Sequence, residues 1–143
     1  MWRRCAGRTR ARTSPARGVR GIKLRPDDTV VDMLVAHDPE GTVLTACEKG
    51  YGKRTPIAEY TKHGRGGQGV IAMQTTSRNG NVIAAVAVAP DDHIMLISDG
   101  GTLVRTPVSE VSVIGRNTQG VRIMSLDDDK LAAIVRVPRD EDD

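Results

Sequence analysis

The chain has no phenylalanine, one tryptophan and two tyrosines in 143 residues. Any core is therefore built from Val, Ile, Leu, Met and Ala. Two cysteines, Cys5 and Cys47, are too few for a disulfide scaffold, and free thiols accord with a reducing cytosol. No run approaches the roughly 18–20 apolar residues of a membrane helix, so no membrane partner is expected. The three histidines, His37, His63 and His93, are scattered. None has a Cys or His at ligand spacing, which excludes a recognisable metal site. Gly64 to Gly69 lacks the Gly-Lys-Ser/Thr ending of a nucleotide-binding loop. No window sustains a 3.6-residue period, so helix content is expected to be low.

What the chain does have is one phrase written three times. The copies are Ala16-Arg17-Gly18-Val19-Arg20-Gly21-Ile22-Lys23-Leu24, Gly64-Arg65-Gly66-Gly67-Gln68-Gly69-Val70-Ile71-Ala72-Met73 and Gly115-Arg116-Asn117-Thr118-Gln119-Gly120-Val121-Arg122-Ile123-Met124. Their closing glycines, Gly21, Gly69 and Gly120, lie 48 and 51 residues apart. We call these segments boxes 1, 2 and 3. A second phrase, Arg54-Thr55-Pro56-Ile57-Ala58-Glu59-Tyr60, returns as Arg105-Thr106-Pro107-Val108-Ser109-Glu110-Val111. A third apolar element recurs at 30–35, 82–88 and 131–137. Such a period implies a repeat architecture in which no unit buries its own apolar face. Cys47 occupies the repeat position held by Ser98, which suggests a small, buried or half-buried side chain.

The apolar runs are short, β-branched and bounded by Gly, Asp, Asn and Pro, which is strand grammar. Asn79-Gly80 reads as a tight hairpin turn, with Asp99-Gly100-Gly101 and Asp38-Pro39-Glu40-Gly41 as further turns. Val82–Val88 and Ile94–Ser98 read as adjacent antiparallel strands. About four short strands per fifty residues is the pattern of a propeller blade. The expected fold is all-β, a propeller-like partial pinwheel of two to three four-stranded blades in an open ring. It spans residues 16–137, between a disordered basic segment at 1–15 and an acidic disordered tail at 138–143. Charge is polarised to match: residues 1–25 hold nine Lys or Arg and no acid, while 127–143 hold seven acids against three bases. An open blade stack exposes strand edges, so marginal stability and self-association are expected.

These phrases resemble the C-terminal domain of the DNA gyrase A subunit. The resemblance is carried by Gly50-Tyr51-Gly52-Lys53-Arg54-Thr55-Pro56-Ile57-Ala58-Glu59-Tyr60, by Ile94-Met95-Leu96-Ile97-Ser98-Asp99-Gly100-Gly101, and by residues 111–122. It implies a β-pinwheel with strands exchanged between blades and duplex DNA bent around a basic rim. It also implies a non-catalytic, DNA-wrapping part of an ATP-dependent type II topoisomerase that introduces negative supercoils. Implied partners are double-stranded DNA, the rest of the gyrase A polypeptide, and the gyrase B polypeptide in a heterotetramer. Implied location is the bacterial cytoplasm, at the nucleoid. No cofactor is expected in this chain, since ATP and Mg2+ are used by other parts of the holoenzyme. Neither Tyr51 nor Tyr60 sits in the family's catalytic-tyrosine setting, so no catalytic residue is expected. The family's hallmark box, Gln-Arg-Arg-Gly-Gly-Lys-Gly, is present only as degenerate copies, with Gln68 and Gln119 in place of Lys. The corresponding domain of topoisomerase IV is a related alternative. A propeller-like protein-interaction module without DNA binding is the alternative from another class.

Arginine offers a planar fork matched to phosphate oxygens, and glycine turns let backbone N–H groups approach them. On this chemistry the expected DNA contacts are Arg17, Arg20, Lys53, Arg54, Arg65, Gly66, Gly67, Gln68, Arg116 and Arg122. The bland alternatives are that Gly66, Gly67, Gly69 and Gly120 serve backbone geometry, and that Arg54 and Arg105 pair with Glu59 and Glu110 inside the blade.

Overall fold

A computed structural model describes residues 17–139. The readings of 1–15 and of the acidic end beyond Arg139 lie outside the described residues. Seven strands are present: β1 (Thr42–Cys47), β2 (Tyr51–Pro56), β3 (Val82–Val88), β4 (His93–Ser98), β5 (Leu103–Pro107), β6 (Val121–Arg122) and β7 (Leu131–Val137). Among the described residues helix is confined to two single 3-10 turns, Ile57–Glu59 and Val108–Glu110. Each follows the Thr-Pro of the second repeated phrase, where the fixed φ of Pro56 and Pro107 ends the strand.

The strands form two antiparallel sheets, ordered β3-β1-β2-β6 and β5-β4-β7. The second repeats the first one unit later. β4 and β5 form a hairpin through Asp99-Gly100-Gly101 as β1 and β2 do through 48–50, and β7 flanks β4 as β3 flanks β1. Even the irregularity repeats, with a register shift at Ala46/Cys47 and again at Ile97/Ser98. The expected all-β, blade-like repeat is the architecture found.

Two sequence expectations fail here. β3 and β4 are not neighbours: β3 pairs with β1, Leu44 opposite Val86, and β4 pairs with β5 and β7. The 89–92 link carries the chain from one sheet to the next instead of closing a hairpin. Asn79-Gly80 does not join paired strands either. Only Gly80 takes positive φ, and buried Asn79 uses its amide to tie the turn together. Its Oδ1 accepts from Thr76 N–H at 2.7 Å, and its Nδ2 donates to Gln74 O at 2.7 Å and Gln119 O at 3.1 Å. Asp38-Pro39-Glu40-Gly41 does form a turn, but residues 30–37 before it are in no strand.

The core lies between the sheets: Leu44, Ala46, Val88, Ile94, Leu96, Val108, Val111, Met124 and Leu131. A satellite cluster holds Cys47, Tyr51 and Met73. Arg136 Nε donates to buried Asp92 Oδ2 at 2.6 Å, and Asp92 in turn accepts from Ala89 N–H at 2.8 Å. This pins the sheet-to-sheet link to β7.

Cys47 is fully buried and free, with Sγ 3.4 Å from Met73 Sδ. Burial pushes its thiol up to about 11, Glu48 adding to the shift and Lys53 opposing it. A raised folded-state value favours the protonated thiol in the native state. Its contribution is intact below the unfolded thiol's pKa and is lost as pH rises through 11. Wild type should therefore lose about 2 kcal/mol more than Cys47→Ala across that alkaline window, measured by urea unfolding at stepped pH.

Candidate nucleic-acid interface

Box 3 is built by burial. The outer edge of β2 would be open without it, and two pieces of chain close that edge. Residues 112–114 run along it in parallel: Arg54 N–H donates to Ser112 O at 2.9 Å, and Ile114 N–H to Arg54 O at 2.8 Å. β6 then adds antiparallel, with Tyr51 opposite Arg122 and Gly52 opposite Val121. Box 3 starts as the loop between these two pieces and runs on through β6.

Lys53 shapes that loop. Its side chain is fully buried, and Nζ donates to Gly115 O at 2.7 Å, to Arg116 O and to Thr118 Oγ1 at 3.0 Å. An ammonium has three protons, and three oxygens receive them. Burial pushes its pKa down, an effect that Glu59 opposes and Arg116 reinforces. Arg54 is buried too, with Nε donating to Val111 O at 2.7 Å. The expectation that Lys53 and Arg54 extend a phosphate-binding rim is therefore corrected: both cations are spent inside the blade on backbone carbonyls. Arg54 does not pair with Glu59. Glu59 Oε2 instead accepts the Arg116 backbone N–H at 3.0 Å, and Arg105 Nε lies 3.3 Å from His93 Nδ1.

The glycine that ends box 3 is a packing requirement. Gly120 has φ +75°, and a Cβ there would lie 2.7 Å from Met73 Cε and 2.8 Å from Gly52 O. Gly69, its counterpart in box 2, has φ +76°. The structural alternative for these two positions is the one observed.

The boxes touch in order. Gly66 N–H donates to Gly21 O at 2.9 Å and Lys23 N–H to Gly67 O at 2.8 Å, which fastens box 1 to box 2. Gln74 N–H donates to Thr118 O at 2.9 Å, and the Arg116 guanidinium donates to Ile71 O at 3.0 Å, which fastens box 2 to box 3. Arg17, Arg20, Arg65 and Gln68 are exposed along this series, while Arg116 is half-buried. Gly66 and Gly67 sit at the box 1–box 2 junction and contribute to it through their backbone.

Sequence reading missed Arg78. Arg78 and Arg122 both lie over the Tyr51 ring, 5.1 and 5.6 Å from its centroid, and both donate to its hydroxyl at 3.2 Å. These two hydrogen bonds hold the Tyr51 phenol below its ordinary pKa. Arg78 belongs to no repeated phrase. Its only signal was a basic residue beside the Asn79-Gly80 turn.

The DNA gyrase C-terminal domain, beta-propeller, family matches residues 10–37, 42–89 and 92–138. The chain belongs to this family. It is 52% identical to the DNA gyrase A subunit of Klebsiella oxytoca over 94% of its length, and 54% identical to that of Pseudomonas aeruginosa over 85%. It spans about 15% and 13% of those two relatives. A solved DNA gyrase A C-terminal domain superposes with a TM-score of 0.79 at 31% identity, covering 84% of this chain and 41% of that one. The C-terminal domain of a DNA topoisomerase IV shares the fold, with a TM-score of 0.78 at 20% identity, covering 85% of this chain and 38% of that one. The beta-propeller description accords with the two repeated sheets.

Three substitutions separate loop geometry from loop charge. Lys53→Met leaves three carbonyl and hydroxyl oxygens without their buried donor and should destabilise the fold by about 1–3 kcal/mol. Gly120→Ala should be at least as harmful, because strain and overlap combine. Chemical denaturation of both variants checks this, and Arg65→Ala should stay within about 0.5 kcal/mol of wild type.

Proposed function

We propose that this chain is a non-catalytic, duplex-DNA-binding and DNA-wrapping part of a gyrase A polypeptide. The observation that carries the reading is the linked series of boxes, each fastened to the next by backbone or arginine–carbonyl hydrogen bonds. On this reading Arg17, Arg20, Arg65, Arg116 and Arg122 act as one succession of cations. A succession of this kind suits a phosphate backbone followed across several helical turns, without reading bases. Gly66, Gly67 and Gln68 give the central loop a low profile against which the duplex can lie.

In the assembly, DNA bent by this surface is presented to the cleaving part of the gyrase A polypeptide. The gyrase B polypeptide supplies ATP turnover, and the complex introduces negative supercoils. ATP and Mg2+ act in those other parts, and this chain binds neither. The place of action is the bacterial cytoplasm, at the nucleoid. No helix among the described residues is long and apolar enough to cross a membrane.

Binding of a fluorescent duplex at several salt concentrations tests the reading. The logarithm of affinity should fall linearly with the logarithm of salt, by about 0.9 per phosphate neutralised. Arg20→Ala and Arg65→Ala should each weaken binding regardless of sequence and flatten the slope by about 1. A flat salt response, or a slope that neither substitution alters, would overturn it.

A further inference from the structure

Two guanidiniums converge on one neutral oxygen. Arg78 Nε and Arg122 Nη2 both donate to the Tyr51 hydroxyl at 3.2 Å, so the two nitrogens stand no further apart than twice that distance. Both groups also lie over the Tyr51 ring, 5.1 and 5.6 Å from its centroid. A phenol attracts each cation but cancels neither charge. Among the described residues the ion pairs are Lys130–Glu48 and Arg136–Asp92, and neither involves this couple. Like charges at such a separation repel, and an anion set between them turns that repulsion into attraction.

The couple is open to receive one. Arg78 and Arg122 are exposed, and among the described residues no other hydrogen bond engages either guanidinium. Each therefore keeps most of its N–H donors for an incoming group. They line a cleft of about 450 Å³ together with exposed Lys49. Acidic residues 127–129 share the cleft, but Asp129 is engaged by the Gly100 and Lys130 N–H groups, and none of the three pairs with either arginine.

The fold does not require these three residues. In the second sheet Thr102 stands where Tyr51 does, and acidic residues 127–129 precede β7 where the Arg78 turn precedes β3. Box 2 has Ile71 where box 3 has Arg122. The same three strands are thus assembled twice, once with the couple and once without it. The Arg78 turn is also fastened to box 3, since Asn79 Nδ2 donates to Gln119 O at 3.1 Å and Gln74 N–H to Thr118 O at 2.9 Å. The couple therefore continues the box series by one step.

We propose that Arg78 and Arg122 clamp one phosphate group, with Tyr51 as the positioning residue that holds the two guanidiniums together. The source of that group rests on the DNA-wrapping reading: it is a phosphodiester of the duplex backbone. Such a phosphate offers two unesterified oxygens, one to each arginine. Tyr51 adds no charge. It fixes the separation of the donors, and donors already in place lose less freedom on binding.

Duplex binding by fluorescence anisotropy over a salt series tests the clamp, with circular dichroism confirming the native fold of each variant. Arg78→Ala should weaken binding about tenfold and flatten the salt slope by about 1. Arg78→Lys should keep the slope but recover only part of the affinity, because an ammonium lacks the planar fork. Tyr51→Phe should weaken binding about threefold with the slope unchanged, since no charge is lost. The arginine Nε–H resonances of Arg78 and Arg122 should also shift when inorganic phosphate is added at constant ionic strength, and shift less in Tyr51→Phe. Duplex binding that none of the three substitutions alters would overturn the clamp and leave the wrapping reading intact. Absence of duplex binding by the wild-type chain would overturn the wrapping reading instead. The inorganic phosphate titration then decides the clamp alone: shifts at both arginines support a phosphate site, and unmoved resonances overturn it.

Discussion

The grip of one buried ammonium on a loop far away in sequence holds the first sheet closed. Lys53 sits in the middle of β2 and binds Gly115 O, Arg116 O and Thr118 Oγ1, more than sixty residues further on. A buried cation is costly unless its protons are all received, and the loop must therefore bend so that its oxygens converge on one point. That bend sets the direction in which β6 leaves the loop and pairs with β2. β6 then buries Met124 in the main core, while Gly120 packs on Met73 beside Cys47. Loop, strand closure and core are thus one cooperative unit, and the unit spans three sequence repeats.

This arrangement divides the cations of the repeats into three kinds. Lys53 and Arg54 are interior fasteners. Arg116 and Arg122 are shared: one donates to Ile71 O, the other stacks on Tyr51, and both remain close to the surface. Arg17, Arg20 and Arg65 are exposed. Phosphate attraction acts through solvent and adds along a series, so on the proposed reading the exposed group would dominate salt-dependent binding. The fasteners hold box 3 and the chain just before it, whereas boxes 1 and 2, which carry the exposed arginines, are held to each other by backbone hydrogen bonds. Tyr51 extends the same logic: flanked by Arg78 and Arg122, it holds two like charges at a set separation that they would not adopt alone.

Much of the fold was legible because repetition multiplies weak signals. Arg-Thr-Pro followed by an apolar residue and Glu marks a strand that ends in a 3-10 turn, and it does so twice. Glycine before an apolar pair marks the loop that precedes an added strand. What could not be read was which strands pair. Val82–Val88 and Ile94–Ser98 are separated by a short turn-like link, and local turn chemistry favours a hairpin. A strand rich in Val and Ala fits any apolar neighbour, and burial in a sheet of distant strands outweighed sequence proximity. The roles of Lys53 and Arg54 were hidden for a related reason. Beside a glycine-rich phrase they look like rim charges, and only tertiary contact reveals that the carbonyls of another repeat consume them. Arg78 lay outside every repeated phrase, and its partner Tyr51 lies 27 residues away.

The differences between repeats carry as much information as the matches. Where β2 has Gly52 and Lys53, β5 has Leu103 and Val104. Where box 3 supplies Thr118 and Ile123, box 2 supplies Gly67 and Ala72. If the repeats were interchangeable, any box could close any edge, and strand exchange would have no defined order. Pairing Gly52 with Ala72 would leave a void of several methyl groups, and pairing Leu103 with Ile123 would overfill the same space. Lys53 facing Gly67 would lose one acceptor, and Val104 facing Thr118 would leave a hydroxyl without its ammonium. Each mismatch disfavours a wrong register by an amount comparable to the whole benefit of a two-residue strand. The same positions that make β2 accept box 3 therefore make it reject box 2, and order along the repeats follows from side-chain volume and acceptor count alone.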